Sequence, residues 1–403
     1  MTTSALPAGV VDAADTAITD PVASARAIRP LLSHHRAAND QSRRLAEETI
    51  QALRDAGQLR TQVASRFGGL ECDLTTVLDA TIEVTKGDPS AGWVTMILST
   101  ADWLVGLFPD QAQRDVYQTG PDTSVCAVIA PRGRPRAVAG GWLVDGSWAP
   151  SSGCHHCEWA VLGVLLADSP GEPARPVLAL VPIAELGIED TWRTLGMRAT
   201  ASNTLAARAV FVPRHRVLAL HPAVEGIHAG ANPGPLFRSA MMPLMVTHMM
   251  APYLGMAEAA LEHVLDTVPD RPVTFTNYAR KSDSTAFQLS IAEAAIRIDA
   301  ARALAHRAAR IVDQHAGART FPEPGERARI RGWTGHVVAE CRAAVDLLAS
   351  AHGASAFSEE NLLCGIVRDI HTASRHAMAN AQINAEIYGK ALLGVSSNIS
   401  ALV

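Results

Sequence analysis

The spacing of hydrophobic positions changes twice along this chain. Up to about Leu107 charged and apolar positions follow the pattern of amphipathic helices, which Gly87-Asp88-Pro89-Ser90 interrupts. Ser90 is the predicted N-cap of the helix that follows this break. We therefore predict an N-terminal helical domain over residues 21–122, preceded by a flexible arm over residues 1–20.

Short apolar runs replace the helical pattern after residue 122. They are bounded by glycine, proline and aspartate, and five of them predict an antiparallel β-domain over residues 123–230. The runs are Val125–Ala130, Trp142–Trp148, Trp159–Ala167, Pro176–Val181 and Ala207–Val212. Asp145-Gly146 is typical of a tight turn, so we expect a hairpin there.

Helical spacing returns after about Leu236 and continues to the end of the chain. Apolar positions at spacings of three and four place a stripe on one face of a long helix. They are Ile291, Ala294, Ile298, Ala301, Ala305, Ala308 and Val312. A second stripe over Val338–Leu348 repeats the pattern, which predicts a four-helix bundle over residues 231–403. The expected fold is mainly α with a central β-domain.

Composition narrows the class of protein. Hydrophobic residues make up 48% of the chain and charged residues 19%, which suits a globular protein. The net charge of -5 is mild, so we expect no nucleic-acid partner. The chain has no apolar run long enough to span a membrane, so we expect no membrane partner. We recognise no signal peptide at the N-terminus. Six scattered cysteines do not form a disulfide framework, so we expect a reducing cytoplasm.

Two adjacent hydroxyl residues, Ser151 and Ser152, stand before Gly153 at the end of a predicted strand. A hydroxyl beside a glycine, where a backbone can approach closely, can bond the edge of a planar ligand. The alternative is a turn whose serines are solvated.

Cys154-His155-His156-Cys157 follows directly and contains residue types that bind zinc. Structural zinc sites usually join two separated ligand pairs, and the chain has no second compact pair. We therefore disfavour zinc and expect that one or two of these side chains face a pocket.

The segment Leu195–Thr204 places small polar residues after an arginine. Its backbone N–H groups could cradle a phosphate or the edge of a flavin ring, although an ordinary polar connection has the same pattern. Farther along, His371 and His376 lie five positions apart on a predicted helix and so do not share a face. One could act as a base, and the alternative is a structural role. No G-x-G-x-x-G motif indicates a nicotinamide-binding domain.

Together these segments resemble the acyl-CoA dehydrogenase superfamily. Leu195–Thr204 resembles its G-x-R-x-T-x-S-N-T segment, Phe67–Leu70 its Y-G-G-L turn, and Arg368-Asp369 its R-D pair. Within the superfamily the chain is most similar to the oxygenase components of two-component flavin-dependent monooxygenases, such as p-hydroxyphenylacetate hydroxylase and actinobacterial aromatic and indole hydroxylases. The motifs that carry this likeness are Ser90–Val94, Leu107–Pro109, Gly140–Trp142, Gly146–Trp148, Ser152-Gly153 and Asp369–His376.

The resemblance implies a flavin site with two catalytic residues. Ser152 would contact the flavin near N5 and donate a hydrogen bond to its C4a-hydroperoxide. His376 would lie on the substrate side as a general base or proton donor. Further flavin contacts implied by the resemblance are Ala130, Ser151, Arg198, Thr200 and Ser202, with Arg280, Phe287 and Gly353 near the phosphates or adenosine. The substrate contacts implied are Trp93, Ala101 and His376.

The chain departs from the family at Ala101, where related hydroxylases often carry a histidine. Asp102 beside it points elsewhere on the helix. A missing base favours an electron-rich indole or polycyclic arene, or an amine, over a simple phenol. The catalytic glutamate of the dehydrogenases is also missing, because Glu386 lies too far along the chain.

The resemblance therefore implies hydroxylation of a small aromatic substrate, in secondary metabolism or catabolism of the actinobacterial kind. The cofactors would be O2 and reduced FAD (FADH2), with FMN as an alternative, and a separate NAD(P)H:flavin reductase would supply the reduced flavin. A homodimer or homotetramer is expected. The alternatives are an amino-sugar N-oxygenase, an acyl-CoA dehydrogenase-like flavoenzyme and a flavin-free scaffold protein.

Overall fold

The chain folds into helices, a central sheet and further helices, as the hydrophobic pattern predicts. The computed structural model describes residues 18–167, 173–396 and 399–400, so most of the predicted arm lies outside the described residues. The helices before the sheet are α1 (Pro21–Ser42), α2 (Glu47–Asp55), α3 (Leu74–Gly87), α4 (Pro89–Val105) and α5 (Asp110–Tyr117).

Helix α4 begins at Pro89 rather than after Ser90, so the predicted N-cap is wrong. Asp88 is the N-cap, and its carboxylate accepts hydrogen bonds from the backbone N–H groups of Ser90 and Ala91 at 2.8 and 3.3 Å. Proline suits the first helical position because its φ is already helical and its missing N–H has no partner there. Asn39 of α1 donates to the same carboxylate at 2.9 Å and thereby joins the two helices.

The central sheet has seven strands in the order β5-β6-β2-β1-β3-β4-β7. The strands are β1 (Val125–Val138), β2 (Gly141–Ser151), β3 (Trp159–Leu166), β4 (Arg175–Pro182), β5 (Gly187–Glu189), β6 (Asn203–Pro213) and β7 (Val217–Ala219). The antiparallel prediction is wrong for one pair, because β1 and β3 are parallel. Strand β3 pairs with the edge of β1 that β2 leaves free, so the sheet is mixed.

The predicted hairpin turn at Asp145-Gly146 is also wrong, since both residues lie inside β2. The chain reverses at Gly140, which has a φ of +82°, and Val138 pairs with Gly141 across the turn. Gly146 is required by packing instead, because a Cβ there would lie 2.6 Å from the buried Trp148 ring.

The helices after the sheet include the two long striped ones. They are α6 (Leu220–Val224), α7 (Met241–His248), α8 (Met250–Thr267), α9 (Thr285–Ala318), α10 (Pro324–His352), α11 (Leu362–Ala373) and α12 (Ala381–Leu392). The small residues of the α9 stripe are buried, and α10 packs against α8, α9 and α12. None of the described helices is long and apolar enough to cross a membrane.

Candidate active site

Ser152 stands at the exit of β2 and contacts the Leu195–Thr204 segment. Gly153 follows it with a φ of +73°, a conformation that glycine adopts without strain. The Gly153 N–H donates to the carbonyl of Thr200 at 2.9 Å. This bond holds Ser152 beside the segment, with only 7% of its surface exposed.

The Leu195–Thr204 segment is held against helix α11 by two backbone contacts. A Cβ at Gly196 would lie 2.1 Å from the carbonyl oxygen of Arg368, so only glycine fits there. The neighbouring N–H of Met197 donates to the Asp369 carboxylate at 2.5 Å. Burial raises the pKa of Asp369 to about 7, which the bond from Met197 partly opposes.

Four polar side chains form one connected chain of hydrogen bonds where the end of β2 meets α4 and the Leu195–Thr204 segment, and we call this place the buried corner. The indole N–H of Trp93 donates to Ser152 Oγ at 3.2 Å. Ser152 Oγ lies 2.7 Å from Ser202 Oγ, which lies 2.6 Å from Thr200 Oγ1. Thr200 donates to the carbonyl of Met197 at 2.8 Å. All three hydroxyl residues are buried.

Trp93 connects this hydroxyl chain to His376. The two rings meet edge to face with centroids 5.7 Å apart, and the Tyr253 ring lies 6.1 Å from Trp93 in a similar arrangement. The Tyr253 hydroxyl donates to the carbonyl of Ala373 at 2.7 Å, just after which the chain leaves α11. Nothing in the sequence singles out Tyr253, which lies in an apolar helix far from the other site residues.

His376 lies beyond the end of α11, not on the predicted continuous helix, and it is half-buried. Its Nδ1 accepts the backbone N–H of Met378 at 3.3 Å. In the neutral ring this leaves the proton on Nε2, which is then a hydrogen-bond donor. Burial lowers the pKa of His376 to about 4, so the ring is neutral near pH 7. By contrast, His371 lies nearer the surface and pairs with Asp346 at 2.8 Å.

Ser151 and Arg198, which are expected at the flavin, direct their side chains away from Ser152. Ser151 is fully buried and donates to Cys126 Sγ at 3.5 Å, because adjacent residues of a strand point to opposite faces. The Arg198 guanidinium contacts the carbonyl of Asp40 at 3.1 Å, away from Ser152. Ala130 is exposed on β1.

Arg280, Phe287 and Gly353 lie together in a separate part of the molecule. Arg280 and Phe287 lie on either side of the start of α9, and Gly353 follows α10. Lys281, just before α9, joins this segment to the end of α10 by donating to the carbonyl oxygens of Ala351 and His352 at 2.8 and 2.7 Å. No hydrogen bond or ion pair within the described ranges connects Arg280, Phe287 or Gly353 to Ser152. These three residues would therefore contact a different part of any ligand that also reaches Ser152.

Ala101 is fully buried two helical turns after Trp93, on the same face of α4. Asp102 points away from that face and accepts a hydrogen bond from the Tyr117 hydroxyl at 3.0 Å. Burial raises the pKa of Asp102 well above its usual range. The Asp102 carboxylate therefore points elsewhere on the helix than Ala101, as the sequence predicts.

The Cys154–Cys157 segment forms a short turn beside the same loop. Cys154 points to the carbonyl of Ala201, and the His155 ring lies 3.0 Å from the Asn203 amide. Within the described part of the chain, no three His, Cys, Asp or Glu side chains are grouped as a metal site would require. The segment thus supports the Leu195–Thr204 loop through local bonds.

Comparison with known proteins places this geometry in context. Residues 247–381 match the family model of the acyl-CoA dehydrogenase C-terminal domain. The flavin-dependent monooxygenase oxygenase subunit HsaA of Mycobacterium tuberculosis is 34% identical over 365 residues, 89% of this chain and 91% of that protein. The oxygenase component of the FADH2-dependent resorcinol hydroxylase of Rhizobium sp. is 31% identical over 370 residues, 88% of this chain and 90% of that protein. The solved structure of XiaF from Streptomyces sp., in complex with FADH2 and glycerol, has a TM-score of 0.90 at 33% identity, covering 94% of this chain and 96% of XiaF.

Proposed function

The chain belongs to the oxygenase subunits of flavin-dependent monooxygenases, and from this premise we propose that it hydroxylates an electron-rich aromatic compound of the indole or fused-ring class. Reduced flavin and O2 are the cofactors of this family. The observation that carries the proposal is the convergence of Ser152, Trp93 and His376 from three distant segments into one buried corner.

The chemistry of this corner suits a flavin ring. Its polar groups are hydroxyls, an indole N–H and a neutral imidazole, and none carries a charge near pH 7. Uncharged donors and acceptors match the uncharged polar edge of an isoalloxazine ring, whereas a phosphate would require cations or several N–H groups. When bound, the reduced flavin would activate O2 and pass one oxygen atom to the substrate.

The protein would then orient the two reactants and exclude water. Ser152 would hold the flavin edge, Trp93 would separate Ser152 from the substrate side, and His376 would donate from Nε2 to the substrate or to the departing oxygen. Ala101 supplies no polar group on the same helix face as Trp93. A substrate that reacts without deprotonation therefore fits better than a simple phenol. A dehydrogenase would need a free carboxylate here, and Asp369 is bonded to Met197.

FAD is the proposed flavin, delivered by a separate NAD(P)H:flavin reductase. A homodimer or homotetramer is also proposed, and the exposed Leu289 and Ile296 support it, since they lie one heptad apart on the outer side of α9. Analytical ultracentrifugation measures this oligomeric state directly.

Six free thiols support a reducing compartment, which we propose to be the cytoplasm.

The test is turnover with a generic NADH:flavin reductase, FAD and 18O2, using indole, a fused-ring arene and a phenol as substrates. We expect one 18O atom in the product for each FADH2 oxidised, with the other oxygen released as water. Indole or the fused-ring arene should react faster than the phenol. If every substrate returns unlabelled and all the oxygen appears as peroxide, the proposed hydroxylase activity is wrong.

Replacing Ser152 with alanine is expected to uncouple oxygen consumption from hydroxylation. Losing one hydrogen bond of ordinary strength at the flavin should raise peroxide release per turnover by about tenfold. Peroxide and product are measured together in the same reaction. Ser151→Ala is the matched control, because its hydroxyl faces Cys126 and the coupling should stay unchanged. Equal coupling in both variants would remove Ser152 from the flavin site.

A further inference from the structure

One face of helix α4 keeps accessible surface in the interior of the molecule. Trp93 is 6% exposed and Thr100 is 5% exposed, and Ile97 between them is the one residue of α4 that is only partly buried. These three residues are four and three positions apart, so they lie on the same side of the helix. The stripe ends one turn later at Leu104, which is fully buried. Accessible surface on successive turns of one face indicates space for a ligand beside it.

This stripe has the length and the polarity of a fused-ring substrate. A helix rises about 1.5 Å per residue, so Trp93 and Thr100 are about 10 Å apart along its axis. The stripe begins at the buried corner, where Trp93 contacts Ser152 and His376. Ile97 makes its middle apolar, and the Thr100 hydroxyl lies at its far end. A ligand along the stripe would therefore meet one polar group at the end away from the buried corner.

His248, the last residue of α7, holds the Thr100 hydroxyl in place. Its Nδ1 lies 3.0 Å from Thr100 Oγ1, and its Nε2 lies 2.9 Å from Thr81 Oγ1 of α3. The imidazole is fully buried, and burial lowers the pKa of His248 to about 3. The ring is therefore neutral near pH 7 and carries one proton, on either of its nitrogens.

These three side chains hold one proton more than their two bonds use. Each carries one proton, and none makes a further hydrogen bond to any residue that the structure describes. With the ring proton on Nε2, Thr100 donates to Nδ1, and the spare proton is on Thr81, which is 1% exposed. With the ring proton on Nδ1, Thr81 donates to Nε2, and the spare proton is on Thr100 at the accessible stripe.

The spare proton determines which ligand the stripe favours. A buried donor without a partner is destabilising. A ligand that accepts a hydrogen bond from Thr100 removes this cost, because all three protons are then bonded and the ring proton lies on Nδ1. A ligand that only donates to Thr100 leaves one proton unpaired in either arrangement of the ring.

We propose that Thr100 binds a hydrogen-bond acceptor at the far end of the substrate, and that His248 is a positioning residue that keeps the Thr100 proton available for it. This inference rests on the proposed function and narrows its substrate class. The substrate would be a fused-ring arene with a carbonyl oxygen, an ether oxygen or a pyridine-type nitrogen at the end opposite to the ring that is hydroxylated.

The experiment compares the binding of 2-acetylfluorene and 2-ethylfluorene, which differ only in the carbonyl oxygen. Equilibrium dialysis under anaerobic conditions measures both dissociation constants with the full chain and reduced FAD. We expect the wild-type protein to bind the acetyl compound about tenfold more tightly, the effect of one hydrogen bond. Thr100→Val keeps the shape of the side chain without its hydroxyl and should abolish this preference, whereas Thr100→Ser should keep it. Equal dissociation constants in the wild-type protein would overturn the proposal.

Thr95→Val is the matched control, because it is the same substitution in the same helix. Thr95 is buried on another face of α4, and its hydroxyl has no hydrogen-bond partner among the residues that the structure describes. Its preference for the acetyl compound should equal that of the wild-type protein. An equal loss of preference in Thr95→Val and Thr100→Val would mean that the helix moved, and it would contradict a specific role of the Thr100 hydroxyl.

The position of the ring proton tests the role of His248 separately. The 15N chemical shifts of a labelled imidazole distinguish a protonated nitrogen from a bare one, and the signals missing in His248→Asn identify this ring. The ring proton should lie on Nδ1 when 2-acetylfluorene is bound. A ring proton on Nε2 in that complex would exclude His248 from the positioning role.

The outcomes distinguish this inference from the proposed function. Equal binding of the two fluorenes by a protein that hydroxylates indole would overturn the role of Thr100 and leave the proposed function intact. A tenfold preference for 2-acetylfluorene in a protein that hydroxylates no aromatic compound would support the Thr100 site and overturn the proposed activity.

Discussion

Replacing His376 with alanine is expected to lower product formation by about 100-fold or more, the usual effect of removing a positioned proton donor. The ring is half-buried against Trp93, and its Nε2–H is the donor left after Nδ1 accepts from Met378. Single-turnover product formation measures the effect, with reduced-flavin binding as the control for correct folding. His376→Gln returns an N–H near Nε2 and should recover part of the loss. An alanine variant as fast as the wild type would exclude His376 from the reaction.

The pH dependence of the reaction provides a second measurement on the same residue. Burial places the pKa of His376 near 4, below the value of roughly 6.5 expected in an unfolded chain. A depressed histidine pKa favours the folded state above pH 6.5, and that contribution is lost as the pH falls from 6.5 toward 4. The same pKa sets the pH profile of the reaction, so the rate of product formation should fall on an acidic limb near pH 4. This limb should be absent in His376→Gln. A limb near 6.5 in the wild type would mean that the ring is solvated.

Gly196→Ala is expected to destabilise the protein by about 3 kcal/mol, the upper range for forcing an extra methyl group into a packed site. The new Cβ would meet the Arg368 carbonyl oxygen at 2.1 Å and the Asp369 nitrogen at 2.7 Å. These are backbone atoms, which cannot rotate away as a flexible side chain could. The loop must therefore move, which weakens the bond between Met197 and Asp369 and displaces Thr200 from Ser202.

Urea unfolding measures the stability change, and the FAD dissociation constant measures the displacement of the loop. Gly365→Ala is the matched control, since it adds the same methyl group to α11 with no heavy atom within 4 Å. Alanine has a higher helix propensity than glycine, so this variant should be unchanged or more stable by up to about 1 kcal/mol. Equal stability of Gly196→Ala and the wild type would contradict the close approach of the loop to α11.

Part of the active site could be predicted from the motifs. The family is confirmed, and Ser152, Thr200, Ser202, Trp93 and His376 do lie together. Their roles at a flavin stay predictions. Local patterns could not show that Ser151 faces Cys126 or that Tyr253 joins the site, because both facts depend on which faces of a strand and a helix are covered.

The sequence by itself determined the order of the elements and the class of chemistry. Hydrophobic periodicity is a local property, so the helix–sheet–helix order and the buried stripe of α9 follow from it directly. The parallel pairing of β1 with β3 was decided by the tertiary structure, since it depends on which edge of β1 is left free by β2.

Only the tertiary structure decided which groups meet at Ser152. The sequence around Ser152 contains nothing that predicts its partners, because Trp93 and Ser202 lie more than 45 positions away on either side. The fold brings the Trp93 indole N–H and the Ser202 hydroxyl within hydrogen-bond distance of Ser152 Oγ, at 3.2 and 2.7 Å. A contact between residues so far apart in the chain depends on how α4 packs against the sheet, which no local pattern specifies.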